Sequence, residues 1–451
     1  MSRSNVYDMT KGRELPLLLK FSIPMLFGNI FQQLYNLVDS IIVGQFVGAN
    51  ALGAVGATGS STFLLFSLCN GLSIGIGILI AQYFGANNTE NVKKSIANAI
   101  YVVVVSGVIM SLLGVIVTRP VLELLKTPAA IIEDSVTYMR IACAGTIAVI
   151  GYNAMASILR ALGDSKTPLI FLVIASVINV ILDLTFIICF QMGVAGAAIA
   201  TIISQAISTI GCIIFAVARN PYFKLEKEHL KVDSKIISKS IKIGIPVAFQ
   251  NSLIAFSCIV LQGVVNTFGE TIVTVYTTSN RIEQLVQQPY NSLGAAVSTF
   301  TGQNMGADKI DRVKRGYRIS VVIVVIISAI MFVFMQLFGG NVISLFTGEQ
   351  EIVRLGSKAL KITSCFYFGL GMIYVSRALL NGAGDAIASM INGFVEVIGR
   401  VFFPVILIHV FSVGYLGVWY TTGLTWTITG LTVFIRYLQG KWKQKSLVHR
   451  G

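Results

Sequence analysis

Long apolar runs separated by short polar stretches account for almost the whole chain. Each run offers about 20 or more largely apolar residues, the length that carries an α-helix across the hydrocarbon core of a bilayer. Twelve spans are predicted, over residues 17–45, 53–82, 95–118, 131–158, 168–190, 194–217, 238–266, 272–301, 317–339, 352–380, 386–410 and 414–437. The longer ones must tilt or extend past the lipid. The polar stretches alternate in character. Lys11, Arg13 and Lys20, Lys93 and Lys94, Arg160 and Lys166, the linker at 218–240, "DKIDRVKRGYR" at 308–318 and "RYLQGKWKQK" at 436–445 fall on one side of this count. Loops on the other side hold little Lys or Arg, with Arg119 and Lys126 as the exceptions. Such a bias places the basic loops, both termini and the linker in the cytoplasm. The linker itself is expected to be a hydrated tether.

The pattern also repeats. "KFSIPMLFGN" at 20–29 returns as "KIGIPVAFQN" at 242–251, "IAQYFGAN" at 80–87 as "TGQNMGAD" at 301–308, and "ILRALGDSKTP" at 158–168 as "ALLNGAGDAIA" at 378–388. The offset stays near 221 or 222 residues. Each half has an even number of spans, so both enter the membrane in the same sense, as parallel repeats. The expected fold is an all-α polytopic membrane protein with twelve transmembrane helices in two six-helix bundles. Residues 1–220 form the first bundle, 221–240 a linker, and 241–451 the second bundle and tail. Two such bundles leave a cleft about which a transporter rocks; a duplicated scaffold without transport is the alternative. Pro24 and Pro246 occupy matching places in the first helix of each half, where each removes a backbone donor. Gly71, Gly75 and Gly77 suit close helix packing.

Composition agrees with this reading and removes others. Of 451 residues, 55% are hydrophobic and 12% charged, against roughly a quarter charged in soluble domains. A net charge of +14 would suggest nucleic acid in a soluble protein, but here it is a topology signal, and no aromatic–basic interleaving marks a nucleic-acid groove. The six cysteines lie in apolar segments without metal or disulfide spacing, and His229, His409 and His449 are far apart. No Walker glycine loop, zinc spacing or nucleophile elbow occurs, so neither a catalytic residue nor a cofactor is expected. The first apolar segment exceeds a signal-peptide core and is expected to remain as a helix.

Candidate chemistry lies in acids within apolar spans, where an ionisable side chain is costly. Asp39 sits in the first span. Asp183 sits in the fifth, four residues after Asn179 and on the same helix face. Two acids and an amide in one bundle suit a proton or a small hard cation such as Na+; caps on a broken helix are the alternative. The second half has Leu261 at the place matching Asp39, with Gln262 and Asn266 beside it. Glu396 follows Asn392 by four residues and precedes Arg400 by four. Glu283, with Gln284, Gln287 and Gln288, offers another polar patch. Glu283, Gln284, Gln287, Gln288, Gln262, Asn266 and Glu396 are therefore the candidates for a substrate cleft.

"PMLFGNIFQQLYNLVDSIIVGQFVG", "IGIGILIAQYFGA", "ILRALGDSKTP" and "TFTGQNMGA" together resemble the MATE (multidrug and toxic compound extrusion) family over essentially the whole chain. The resemblance implies two six-helix bundles with both termini inside. It implies antiport of organic, often cationic and lipophilic compounds against H+ or Na+. It also matches Asp39, Asn179, Asp183 and Thr201 to an ion-coupling cluster in the N-terminal half, as in a prokaryotic branch of the family, with Na+ ligands at Asp39, Asn179 and Asp183. Small organic substrates, surrounding lipid, a monomer and the prokaryotic plasma membrane follow as expectations. The family belongs to a larger group that includes flippases for lipid-linked precursors, the alternative function.

Overall fold

A computed structural model describes residues 6–125 and 127–448; Lys126 and His449 lie outside them. Among the described residues the regular secondary structure is helical, without a strand. Fourteen α-helices run α1 Glu14–Phe46, α2 Ala49–Gly85, α3 Thr89–Leu124, α4 Ile132–Ala144, α5 Thr146–Ala161, α6 Lys166–Leu184, α7 Gly193–Arg219, α8 Ser234–Asn266, α9 Glu270–Gly306, α10 Ile310–Ser344, α11 Gln350–Ser364, α12 Tyr367–Ala383, α13 Ala386–Pro404 and α14 Gly417–Leu438. They form the twelve spans because the fourth and tenth are each broken in two. α4 and α5 meet at 48°, and α11 and α12 at 51°. Eight single helices are long and apolar enough to cross a membrane, ten if each bent pair counts as one span. α9 and α14 fall short because they carry many polar residues, of which Glu283, Gln288, Thr299, Thr301 and Gln303 on α9 and Thr421, Thr425 and Thr429 on α14 are buried. α3 and α10 show the opposite design, with Val104, Val108, Leu112 and Ile116, and Val322, Ile326, Ile330 and Leu337, all exposed. Such faces suit a hydrocarbon solvent.

The chain divides into two compact units. The first comprises the segment ending at Asp8 with Phe27–Ala248, and the second Met9–Leu26 with Phe249–Gly451. α1 therefore changes unit two residues after Pro24, and α8 two residues after Pro246. The sequence alone puts the division at residues 220 and 240; the structure puts it inside α8.

In the first unit α2 packs on α3, α4 and α5, α3 on α4 and α5, and α7 on α4, α5 and α6. In the second, α9 packs on α10, α11 and α12, α10 on α11 and α12, and α14 on α11, α12 and α13. The two sets correspond pair by pair. Left-handed backbone positions give the same result. Gly48 and Gly269, Asn87 and Asp308, Gly163 and Gly384, Gln191 and Ser412, and Gly193 and Gly414 all have positive φ, and every pair is 221 residues apart. Left-handed geometry is costly for residues other than Gly, Asn and Asp, so its recurrence at Gln191 and Ser412 marks a turn that both halves require.

Within the first unit, α2 crosses α8 with backbones in contact. A Cβ on Gly71 would lie 2.4 Å from Ala248 N, and one on Gly75 2.5 Å from Ser240 O. At the corresponding places in α9 stand Ser292 and Ala296; Ala296 shares a core cluster with Leu18 and Phe21. The linker is not a free tether. His229 is buried, its Nε2 lies 3.0 Å from Glu90 Oε2, and its Nδ1 accepts from Glu226 N at 2.9 Å. Tyr101 Oη donates to Leu230 O, Asn98 Nδ2 donates to Lys231 O at 3.2 Å, and Asn98 Oδ1 accepts from Asp233 N at 2.8 Å. The Asn98 and Tyr101 side chains on α3 supply these anchors, and composition alone does not reveal them.

The loop before α6 is closed by Asp164, which accepts from Thr167 N at 3.0 Å, Lys166 N at 3.1 Å and Thr167 Oγ1 at 2.5 Å. Burial pushes its carboxyl above the usual range against these bonds. Its counterpart Asp385 instead pairs with Arg436 at 2.8 Å. Arg119, one exception to the basic-loop pattern, is paired with Glu133.

Candidate ion-coupling site

In the first unit the paired carboxyls come together from α1 and α6. Asp39 and Asp183 face one another closely enough for their carboxyls to interact. A hydrogen bond between two carboxyl groups would need a proton on one of them. Asp183 and Asn179 have no solvent exposure. Asn179 fixes the acid from one turn away on the same helix. With its amide oriented to satisfy both ends, Nδ2 donates to Asp183 Oδ2 at 2.8 Å and Oδ1 accepts from Thr201 N at 3.2 Å. Thr201 on α7 in turn shares a side-chain hydrogen bond with Tyr35. Tyr138, on α4, faces the same pair of acids.

The structure thus brings together Asp39, Asn179, Asp183 and Thr201, and it adds Tyr35 and Tyr138. Tyr35 precedes Asp39 by four residues, one helical turn, so its spacing is a usable signal. Tyr138 gives none: a tyrosine in a half-apolar helix looks like packing. One oxygen of each acid, Asp39 Oδ1 and Asp183 Oδ1, is buried without a hydrogen-bond partner among the described residues. Two orphaned carboxyl oxygens facing an amide, a hydroxyl and two phenols make a set of hard donors fit for a proton or a small monovalent cation. No cluster of three or more His, Cys, Asp or Glu stands together among the described residues.

A π-helical turn, Thr185–Cys189, follows Asp183 directly. Such turns often accompany function, but the second unit has one too, Val405–Val410 after α13. It therefore belongs to the fold rather than to the acids.

The second-half candidates do not form one surface. Gln262 Nε2 donates to Asn266 Oδ1 at 2.9 Å on an exposed turn of α8. The expected α9 patch is divided. Glu283 is buried and accepts from Thr363 Oγ1 and, at 3.1 Å, from Tyr367 Oη. Gln287 Oε1 accepts from Tyr374 Oη at 2.9 Å, and Gln288 donates back to Gln284 O at 2.7 Å. Residues four apart share a helix face, but 283, 284, 287 and 288 span too wide an arc to meet one neighbour. Glu396 is buried, yet it has no bond to Asn392, whose amide N and O both lack a partner among the described residues. The likeness of Asn392–Glu396 to Asn179–Asp183 is thus one of spacing only. The left-handed landmarks set the register at 221 residues, and there Arg400 is the counterpart of Asn179.

Comparison with known proteins agrees with this architecture. The MatE family profile matches residues 24–185 and 246–406, once in each half. Two Bacillus subtilis proteins, "Probable multidrug resistance protein YoeA" and "Probable multidrug resistance protein YpnP", are each 30% identical to this chain. The first match covers 95% of this chain and 94% of the relative, the second 98% of both. "Probable multidrug resistance protein NorM" of Thermotoga maritima is 23% identical over 96% of this chain and 94% of its own. Among solved structures, "Crystal structure of MATE in the straight conformation" superposes with a TM-score of 0.90 at 26% identity, covering 97% of this chain and 98% of the other.

Proposed function

Since the chain belongs to the MATE family, we propose that it exports organic compounds of cationic or lipophilic character in exchange for H+ or Na+. It is a multi-pass membrane transporter rather than an enzyme. The observation that carries the reading is the close pair Asp39–Asp183, with a buried carboxyl oxygen on each, inside the N-terminal bundle. An acid pair there holds one negative charge when a single proton is shared, and none when a second proton or a cation joins it. Antiport requires such a change, because the exported cation and the coupling ion must disfavour one another. At equilibrium each then weakens the other by the same factor. In this reading the N-terminal half takes the coupling ion and the two halves alternate access around the substrate. The protein acts as a monomer in the prokaryotic plasma membrane, with both termini in the cytoplasm.

The test is transport in liposomes under imposed ion gradients. Asp39→Asn and Asp183→Asn should each cut ion-driven export by roughly 100-fold or more, while size-exclusion profiles stay those of folded protein; this magnitude follows from the cost of an unreplaced ion ligand in a buried site. Wild-type rates for the Asp39→Asn protein would overturn the assignment. Export driven by a pH gradient without Na+ identifies H+ as the fuel, and dependence on Na+ at constant pH identifies Na+.

A further inference from the structure

The second unit holds a polar face that the coupling reading leaves unused. It runs along α13 and α8. Asn392, Glu396 and Arg400 follow one another at four-residue spacing on one side of α13, over about 12 Å of helix. α8 lies against them: a Cβ on Gly393 would come 3.3 Å from Gln250 Cα. Arg400 Nη1 donates to Ser257 Oγ at 2.8 Å and to Cys258 Sγ at 2.7 Å. All four polar side chains that matter are at least nine-tenths buried: Gln250 is 1% exposed, Asn392 1%, Glu396 4% and Arg400 7%.

Two features of this face call for a ligand. The first is its unfilled hydrogen-bonding capacity. Arg400 Nε, Gln250 Nε2, Asn392 Nδ2 and Asn392 Oδ1 have no partner among the described residues. Three of these four atoms are donors, so the deficit is of acceptors. A buried unpaired donor costs about 1–3 kcal/mol. The second is charge. The Tyr374 ring stands in the fields of Arg377, Arg400 and Glu396, and the Arg377 guanidinium stacks on that ring at 5.3 Å. Arg377 is only half-buried, whereas Arg400 is buried and permanently charged, and among the described residues Glu396 does not come within ion-pair distance of it. A buried charge without a close counter-charge is expensive.

We propose that this face is a subsite of the second unit for the carboxylate of an organic ligand. The carboxylate is bound at the Arg400 guanidinium, with the amides of Asn392 and Gln250 as further donors along the face. Glu396, one turn from Arg400, is then placed for the cationic group of a zwitterion, about 6 Å from the carboxylate. The proposal rests on the export reading and deepens it: it names the groups of the second unit that read a carboxylate on the exported compound.

Rhodamine 110, which carries a free carboxylate, and rhodamine 123, its methyl ester, separate the two ideas. Their affinities for the purified full-length protein in nanodiscs are read by fluorescence anisotropy. Arg400→Gln should shift the ratio of the two affinities against rhodamine 110 by about tenfold or more, as expected for the loss of a charge-assisted hydrogen bond. Arg400→Lys, which keeps the charge but not the fork, should shift it less. The Arg400→Gln/Glu396→Gln double variant leaves no lone buried charge and should show the shift even if the single variant folds poorly. An unchanged ratio in the double variant, or a wild-type protein that binds only rhodamine 123, overturns the subsite. Ion-driven export of rhodamine 123 by the wild-type protein is measured in parallel, so that failure of the subsite and failure of the export reading give different results.

Discussion

From Gly48 and Gly269 onward the two halves of this chain keep one register, and they differ in charge at matching places. On α6 the buried position is Asn179, one turn from an acid that faces a second acid. On α13 it is Arg400, held by a serine and a cysteine. Asp39 has become Leu261, 1% exposed within an apolar cluster, and Asp183 has become Pro404. One half can gain and lose charge; the other carries a charge that no change of pH removes. Duplication supplied two copies of one frame, and the side chains differ so that one copy holds the acids proposed to take a coupling ion while the other holds a fixed charge.

The largest effect should come from placing the same kind of change in both halves. Asn at Asp39 or Asp183 is expected to remove ion-driven export. The sharper version asks about the fuel rather than the rate. Arg400→Gln should leave the dependence of export on the ion gradient in place, measured with rhodamine 123. A loss of ion dependence there would erase the distinction between the halves.

A second comparison concerns the helix crossings. Gly75→Ala in α2 drives a methyl group onto backbone of α8 and should destabilise the protein by several kcal/mol, of the order of 3 or more, read as loss of the monodisperse peak on heating. Ala296→Gly at the matching site in α9 fills no contact with backbone and should cost about 1 kcal/mol, the helix-propensity difference. Equal losses would mean that the glycine crossing has no special role.

Glu283 gives an intermediate case. Glu283→Ala strands Tyr367 Oη and leaves Thr363 only its bonds to Ala359 O and Leu360 O, and should lower stability by about 1–3 kcal/mol; the melting temperature checks it. The smallest effect is expected at the linker. Asn98→Ala removes its bonds to Lys231 and Asp233. It should speed amide exchange over residues 226–233 while export changes little.

Much of this architecture is legible in the order of residues. Apolar length locates the spans, and three repeated phrases locate the duplication. The four-residue spacing of Asn179 and Asp183 is enough to put them on one helix face. Other features are hidden for physical reasons. The breaks at Gly145 and at Cys365–Phe366 contain no proline, and an apolar run reads the same whether straight or bent by about 50°. The linker looks like a solvated segment because its anchors are backbone carbonyls, which composition does not record. Arg400 is visible in the sequence, but its spacing from Glu396 draws the eye to a local pair. Asn392–Glu396 repeats the spacing of Asn179–Asp183 without holding the main offset, and the 221-residue register confirmed by positive φ at Gly163 and Gly384 aligns Arg400 with Asn179.

The left-handed turns have one more implication. From Gly48 and Gly269 onward the halves keep step without a slip. Before that point they do not: Pro24 to Gly48 is one residue longer than Pro246 to Gly269. On an α-helix one residue is about 100° of rotation. The helix that carries Asp39 is therefore wound by more than a quarter of a turn relative to its twin between the proline and the glycine. A single insertion or deletion in an ancestral repeat, confined to α1 or α8, suffices to point a different stripe of side chains at the bundle. That is a cheap evolutionary route by which two identical bundles acquire different chemistry without altering any other helix.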